Sequence, residues 1–210
     1  MIRKKIRIEF KTEVLGTSSN NKQIHKEYIA SKAPDAKSRE EEIEAIGAEE
    51  YEEKQMTVFP RAEDGIPIIW DYQIKGFFKE ACGALQRCKS KGSDGKLAPE
   101  PFAKASCGIK AYKKIIDSDI FIYPRAIPIH LSGEIKHKER PLRGQTAQGE
   151  RIALANSEEI PAGSYIECEI ECLSDSFWPP VVEWLDYGIR KGIGQWRNAS
   201  YGRFTWEIIG

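Results

Sequence analysis

One glycine-rich segment near the C-terminus has the residue types that bind phosphate groups and nucleic-acid bases. Residues 192–204 have the sequence Gly-Ile-Gly-Gln-Trp-Arg-Asn-Ala-Ser-Tyr-Gly-Arg-Phe. Glycines allow a ligand to approach the backbone, exposed amides and arginines bind phosphate, and aromatic rings stack on bases. A tight connection with core aromatics would fit the same residues. The functional interpretation predicts contacts through Gly192, Gly194, Trp196, Arg197, Tyr201, Gly202 and Arg203.

This segment differs from the two common phosphate-binding loops. A dinucleotide-binding loop follows a strand and opens a helix, whereas residues 192–204 come after a predicted helix and before a predicted strand. The sequence also contains no Gly-Lys-Ser/Thr of a Walker loop.

Cysteine and histidine positions do not indicate a metal site, a disulfide or a cofactor site. The five cysteines include no Cys-x-x-Cys, and the three histidines are scattered. Cys168 and Cys172 lie in an alternating pattern typical of a strand, which would separate their Cα atoms by about 13 Å. That distance is too long for one disulfide. We therefore expect the cysteines to be small buried hydrophobic residues and expect no bound cofactor.

The formal net charge of zero conceals an uneven distribution. Residues 35–53 contain nine acidic and two basic residues, a net charge of −7, so the rest of the chain carries +7. A basic body suits a phosphate-binding surface, although many basic surfaces are merely solvated. The acidic stretch, rich in Glu and Ala, predicts a solvent-facing helix over residues 36–54.

The elements that would position these residues follow one another as strand, helix, strand, strand, helix, strand. Strand patterns with a period of two occur near residues 2–11, 165–172 and 203–208, and the first has a mostly basic open face. Residues 120–131 predict a further extended strand, which Pro124 and Pro128 should bend or confine to a sheet edge. Helical spacing begins after Asp71, a good N-cap, and again after Pro179, with Gly192 as the expected end of the second helix. Residues 90–106, which contain Ser-Asp-Gly and Pro-Glu-Pro, are expected to be loop. The order predicts an α+β fold, a single ferredoxin-like (RRM-like) βαββαβ domain over residues 1–210. Insertions are expected at 16–64, a loop plus the acidic helix, and at 132–160, a basic β-hairpin.

Size and hydropathy place this domain in solution. A chain of 210 residues fits one domain, and it contains neither an 18-residue apolar run nor the apolar core of a signal peptide. We expect a cytoplasmic protein without membrane contact.

Two motifs resemble those of the RAMP superfamily, the repeat-associated proteins that build CRISPR effector complexes. Residues 192–204 resemble its C-terminal pattern Gly-x-Gly-x-x-Arg, a spacer, then aromatic-Gly-Arg-Phe/Val. Residues 64–79 resemble the start of its first helix, and residues 158–163 the turn before its third strand. The resemblance covers residues 64–210. It departs from the family where Trp70-Asp71-Tyr72 replaces Pro-Gly-Ser and Phe78-Lys79 replaces Leu-Arg, so the chain resembles a divergent member.

The resemblance implies that the chain is a subunit that holds guide RNA or another single-stranded RNA. In such subunits the central sheet and the first helix hold phosphates, and a thumb-like hairpin displaces a base. It therefore implies RNA contacts by Lys75, Gly76 and Lys79, and by the thumb residues Arg140, Arg143 and Arg151. Other RAMP-like subunits or further copies of the chain would be its partners.

The resemblance also implies no cleavage activity. Some relatives cut RNA with an Asp about ten residues before the Gly that aligns with Gly65, but here that position is Gln55, and no Asp lies between Glu53 and Asp64. Two alternatives stay open. One is an RNA-processing endonuclease using His25, with Tyr28 nearby, and the other is a virus-borne, RAMP-like inhibitor that binds host proteins through its acidic stretch.

Overall fold

The computed structural model describes residues 1–19, 56–91, 96–146 and 149–210. The predicted acidic helix at 36–54, His25, Tyr28 and Gln55 lie outside these ranges.

The described residues form β-strands of two to twelve residues and four α-helices. The strands are β1 (Ile2–Phe10), β2 (Val14–Leu15), β3 (Ser18–Ser19), β4 (Thr57–Val58), β5 (Ile68–Trp70), β6 (Lys89–Lys91), β7 (Leu97–Pro99), β8 (Ile120–Tyr123), β9 (Ala126–His130), β10 (Lys136–Thr146), β11 (Gly149–Ile160), β12 (Tyr165–Cys172) and β13 (Phe204–Ile208). The helices are α1 (Asp71–Leu85), α2 (Lys104–Gly108), α3 (Tyr112–Ser118) and α4 (Trp178–Lys191). The predicted mixed α+β class is confirmed.

The main sheet has the order β13–β1–β12–β9–β5, and β8 also pairs with β12. All of these pairings are antiparallel. Alternation in β12 buries Ile166, Cys168, Ile170 and Cys172 and leaves the residues between them half-exposed, so one face of the sheet is apolar.

Helices α1 and α4 cover that apolar face. Phe77 of α1 contacts Phe204 of β13 edge-on, with 5.2 Å between ring centroids, and Phe78 contacts Trp184 of α4 at 5.4 Å. The buried positions of α1 recur at helical spacing, which is why the sequence pattern predicted this helix. The two helices and the sheet thus share one core.

The cysteines lie in or beside this core. All five are free, and Cys82, Cys168 and Cys172 are buried as predicted, whereas Cys88 and Cys107 are only partly buried. Burial raises the pKa of Cys168 to about 12, so this thiol stays protonated and unreactive at neutral pH.

The strand predicted over residues 120–131 is bent, as its prolines predicted. It divides into β8 and β9 at a cis Tyr123–Pro124 peptide bond. Pro128 occupies a position in β9 that pairs with Ile68 of the short edge strand β5.

A hairpin lies within the predicted range 132–160 and belongs to a second sheet, in which β11 also pairs with β2 and β4, and β4 with β3. Strands β10 and β11 pair from Lys136 and Glu159 to Thr146 and Gly149. The base of the hairpin is held by Glu158, whose carboxylate accepts hydrogen bonds from the Phe59 amide at 2.8 Å and the Arg61 guanidinium at 2.5 Å.

Two local predictions were wrong. Residues 90–106, expected to be loop, contain the β6–β7 hairpin, a 3₁₀ turn at Pro101–Ala103 and the start of α2. Asp71 is not the N-cap of α1 but its first residue; the Trp70 amide instead donates to the side-chain oxygen of Gln73 at 2.8 Å. Gln73 is the third residue of the helix, and its bond to the Trp70 amide is the one that a Gln at this position makes in a capping box.

Candidate nucleic-acid interface

The glycine-rich segment has a backbone packed against itself. Gly192 and Gly202 are buried with φ of 77° and 71°, and the amide of Ile193 donates to the carbonyl of Gly202 at 2.9 Å. A Cβ on Gly202 would lie 1.8 Å from the Ile193 carbonyl oxygen. These two glycines therefore permit a close approach between the backbone at residues 192–193 and the backbone at residue 202.

The next five residues leave their backbone amides available. Gly194 has φ of 90°, and Trp196 has the left-handed φ of 52° and ψ of 35°. Within the described ranges, the amides of residues 194–198 have no hydrogen-bond acceptor. Successive free amides in a turn that alternates backbone handedness can bind an anion such as a phosphate.

An aromatic pair lies beside these amides. The rings of Trp196 and Tyr201 stack with 5.2 Å between centroids and 15° between planes. Trp196 is 41% exposed, an unusual fraction for the largest apolar side chain. The pair offers a surface that a nucleic-acid base can extend by stacking.

Arg140 joins the hairpin to this aromatic pair. Its guanidinium lies 5.2 Å from the Trp196 ring centroid and donates to Gln195 Oε1 at 2.7 Å. Arg140 is 9% exposed, and its Nε has no hydrogen-bond partner among the described residues. Burial lowers the pKa of Arg140, while the nearby Tyr201 acts in the opposite direction. Arg140 therefore positions Trp196 rather than projecting into solvent.

The two predicted arginines of the segment occupy different environments. Arg197 forms an ion pair with Glu80 of α1, and Lys191 lies 3.3 Å from the same carboxylate. A phosphate bound by Arg197 must displace Glu80. Arg203 is half-buried, and its Nε lacks a partner within the described part of the chain.

The predicted residues of α1 lie apart from this group. Lys79 forms an ion pair with Asp117 of α3 at 2.6 Å, and Lys75 donates to the Asp117 carbonyl at 3.3 Å. Gly76 is exposed, with open space where a side chain would be. Contacts with α3 thus hold both lysines, whereas the glycine-rich segment meets α1 at Glu80.

The remaining hairpin arginines occupy neighbouring register positions. In the backbone register of β10 and β11, Arg143 is paired with Ile152 and Arg151 is paired with Gly144.

The open face of the main sheet is not the basic surface that β1 predicted. Arg7 donates to Glu167 at 2.8 Å, Lys5 lies 3.0 Å from the same carboxylate, and Arg3 pairs with Glu169. Glu167 and Glu169 belong to β12, the neighbour of β1, so the acidic face of one strand neutralises the basic face of the other.

Sequence reasoning missed two residues of the interface, Gln195 and Glu80. Gln195 lies inside the segment but was assigned no role, and only its bond to Arg140 reveals one. Nothing in the sequence relates Glu80 to Arg197, which is 117 residues away.

Neither a metal cluster nor a membrane span occurs in the described ranges. There, no three His, Cys, Asp or Glu side chains are grouped closely enough to hold a metal ion. No helix among the same residues is long and apolar enough to cross a bilayer.

The fold is shared with a chain of a CRISPR complex. That chain is from the "Type III-B Cmr-beta bound to cognate target RNA" structure, with a TM-score of 0.50 and 10% sequence identity. The match covers 99% of this chain and 59% of that one, so the present chain spans less than two thirds of its length.

Two weaker similarities are of the same kind. A chain of a "Type IV-B CRISPR Complex" matches with a TM-score of 0.45 and 11% identity, over 100% of this chain and 91% of that one. Cmr6 from Pyrococcus furiosus matches with a TM-score of 0.47 and 10% identity, over 97% of each chain. No protein-family model and no curated protein matches the sequence.

Proposed function

We propose that this chain is an RNA-binding, RAMP-like subunit that holds the backbone of a guide or other single-stranded RNA in a CRISPR-type assembly. The contact between Arg140 and Trp196 carries the proposal. It joins the glycine-rich segment, whose residue types predicted RNA contacts, to the hairpin, for which the resemblance to the RAMP superfamily implied them.

A ferredoxin-like arrangement is part of the proposal. Its support is the antiparallel order β13–β1–β12 followed by the bent strand β8 and β9, with α1 after the first strand and α4 after the third. This is the order that a βαββαβ chain adopts when each helix crosses the same face of the sheet. The shared fold with a chain from an RNA-bound Cmr-beta complex also supports it.

Binding would combine three kinds of contact. The amides of residues 194–198 and the guanidinium of Arg203 would bind phosphates, Arg197 would exchange Glu80 for a phosphate, and the Trp196–Tyr201 pair would stack on a base. The contribution of Arg140 is to hold Trp196 in place. Phosphate and stacking contacts tolerate any sequence, so the chain would bind RNA with little base preference.

Replacement of Trp196 by Ala tests the proposal. Loss of one stacked base costs roughly 1–3 kcal/mol, so we expect the Kd for a labelled single-stranded RNA to rise roughly 5- to 150-fold in fluorescence anisotropy. Tyr72→Ala is the matched control, because Tyr72 is also exposed, at 58%, and also stacks on a tryptophan, Trp70. Equal affinities of Trp196→Ala and the unmodified chain at several salt concentrations would contradict the proposal.

The same RNA should remain intact during the measurement, because we propose that the chain lacks cleavage activity. A denaturing gel of the incubated RNA tests this. Site-specific cleavage that His25→Ala abolishes would instead support the endonuclease alternative.

A further inference from the structure

Most of the excess positive charge lies in one segment outside the interface described above. Residues 86–114 contain eight Lys or Arg and two acidic residues, a net charge of +6. The chain outside residues 35–53 carries +7, so this segment accounts for nearly all of it.

The fold gathers part of this charge around a groove. Gln86, just after α1, donates to the carbonyls of Ser106 at 3.2 Å and Ile109 at 2.7 Å. These bonds hold the end of α1 against α2 and the connection from α2 to α3. A groove of about 580 Å³ results, lined by Gln86, Tyr112 and three lysines, Lys110, Lys113 and Lys114. We call it the basic groove.

The cations at this groove remain uncompensated. Lys110, Lys113, Lys114 and the adjacent Arg87 are exposed, and none of them forms an ion pair with another described residue. Glu183 of α4 binds α2 and does not neutralise these cations. Its carboxylate accepts hydrogen bonds from the Ala105 amide and from the amide and hydroxyl of Ser106, at 2.6–2.7 Å. This differs from the open face of the sheet, where glutamates neutralise the basic side chains of β1.

We propose that the basic groove binds the phosphate backbone of a nucleic acid, as a second contact separate from the glycine-rich segment. Multiple unpaired charges on a concave surface attract a polyanion and release its counterions. Lysine is depleted in protein–protein interfaces, and three of the four cations here are lysines, so a phosphate backbone fits better than an acidic protein. The proposal rests on the RNA-binding function proposed above and extends it to a longer strand.

The triple variant K110Q/K113Q/K114Q tests the basic groove. Its affinity for a 30-nucleotide poly(U) RNA should be measured by anisotropy between 50 and 300 mM salt. We expect weaker binding and a slope of log K against log salt that is shallower by about 2, since each lost phosphate contact on a single strand removes about 0.7. The matched control is R3Q/K5Q/R7Q, which removes the same charge from the ion-paired face of the sheet and should leave affinity and slope unchanged. Circular dichroism melting verifies that both variants fold.

The outcomes distinguish this proposal from the one on which it rests. If Trp196→Ala weakens binding while the groove variant binds as tightly as the unmodified chain, the groove proposal is wrong and the RNA-binding function stands. Equal losses of RNA affinity in both triple variants would also overturn the groove proposal, because the change in net charge alone would explain them. If the unmodified chain does not bind RNA but binds poly-L-glutamate through the groove lysines, both proposals fail and the groove binds an acidic protein.

Discussion

Two glycines of the glycine-rich segment are required by geometry at the scale of single atoms. A Cβ added at position 192 would lie 2.5 Å from the carbonyl carbon of Gly202, and a Cβ added at position 202 would lie 1.8 Å from the carbonyl oxygen of Ile193. Their positive φ values add strain for any L-residue. Gly76 in α1 has neither constraint, because no atom lies within 4 Å of a Cβ built there.

Replacement of these glycines should therefore change stability in opposite directions. We expect Gly202→Ala to lower the free energy of unfolding by about 2 kcal/mol or more, because left-handed strain and a backbone clash add. Gly76→Ala, the matched control, should raise it by roughly 0.5–1 kcal/mol, since alanine favours an exposed helical position. Urea unfolding measures both. A Gly202→Ala variant as stable as the unmodified chain would contradict the packing described for residues 192–202.

At the scale of elements, the pairing of β1 with β12 determines the electrostatics of the open sheet face. Their antiparallel register sets Lys5 opposite Glu169 and Arg7 opposite Glu167. Hydrogen bonds from Arg7 and then Lys5 lower the pKa of Glu167. The carboxylate is thus stabilised in the folded state relative to the unfolded chain.

This arrangement predicts a pH dependence of stability. A carboxyl group whose pKa is lowered by folding contributes above its unfolded pKa, near 4.3 for Glu, and its contribution disappears as the pH falls through the folded value. We expect the unmodified chain to be more stable than Glu167→Gln at pH 7, and the difference to shrink below about pH 4. Glu171→Gln is the control on the same strand, because Glu171 forms no ion pair with a described residue. Urea unfolding at several pH values measures the difference, and a difference that stays constant down to pH 2 would refute the assignment.

At the scale of the whole molecule, charge is concentrated in two separate stretches. Residues 35–53 carry −7, residues 86–114 carry +6, and the remaining residues together carry +1. Opposite charges on different parts of one chain favour head-to-tail contacts between copies. Such contacts form an open filament unless the rotation between copies closes a ring.

Deletion of residues 34–54 tests this form of assembly. We expect the deletion to abolish multimers that form on long RNA, seen by analytical ultracentrifugation, and to leave binding of a single copy intact. A length-preserving control replaces the nine acidic residues of 35–53 by their amides and should have the same effect if charge is the cause. Tighter RNA binding with multimers retained would instead mean that the acidic stretch shields the RNA site, and no change in either property would contradict both ideas.

The sequence alone determined the features that depend on local periodicity. Alternation of Ile6, Ile8 and Phe10 predicts β1, the spacing of Ile74, Phe78 and Leu85 predicts α1, and Gly192 correctly marks the end of α4. These features follow from backbone geometry over a few residues, so neighbours along the chain suffice to predict them.

The tertiary structure alone decided which charged residues remain available to a ligand. Arg7 meets Glu167 because β1 and β12 are neighbours in one particular register, and Arg197 meets Glu80 because the glycine-rich segment folds over α1. Arg140 is buried because the hairpin reaches Trp196. Each partner is more than 50 residues away along the chain, and no local pattern encodes such a distance. An ion pair depends on atoms within about 4 Å in space, and only the packing of distant elements brings those atoms together.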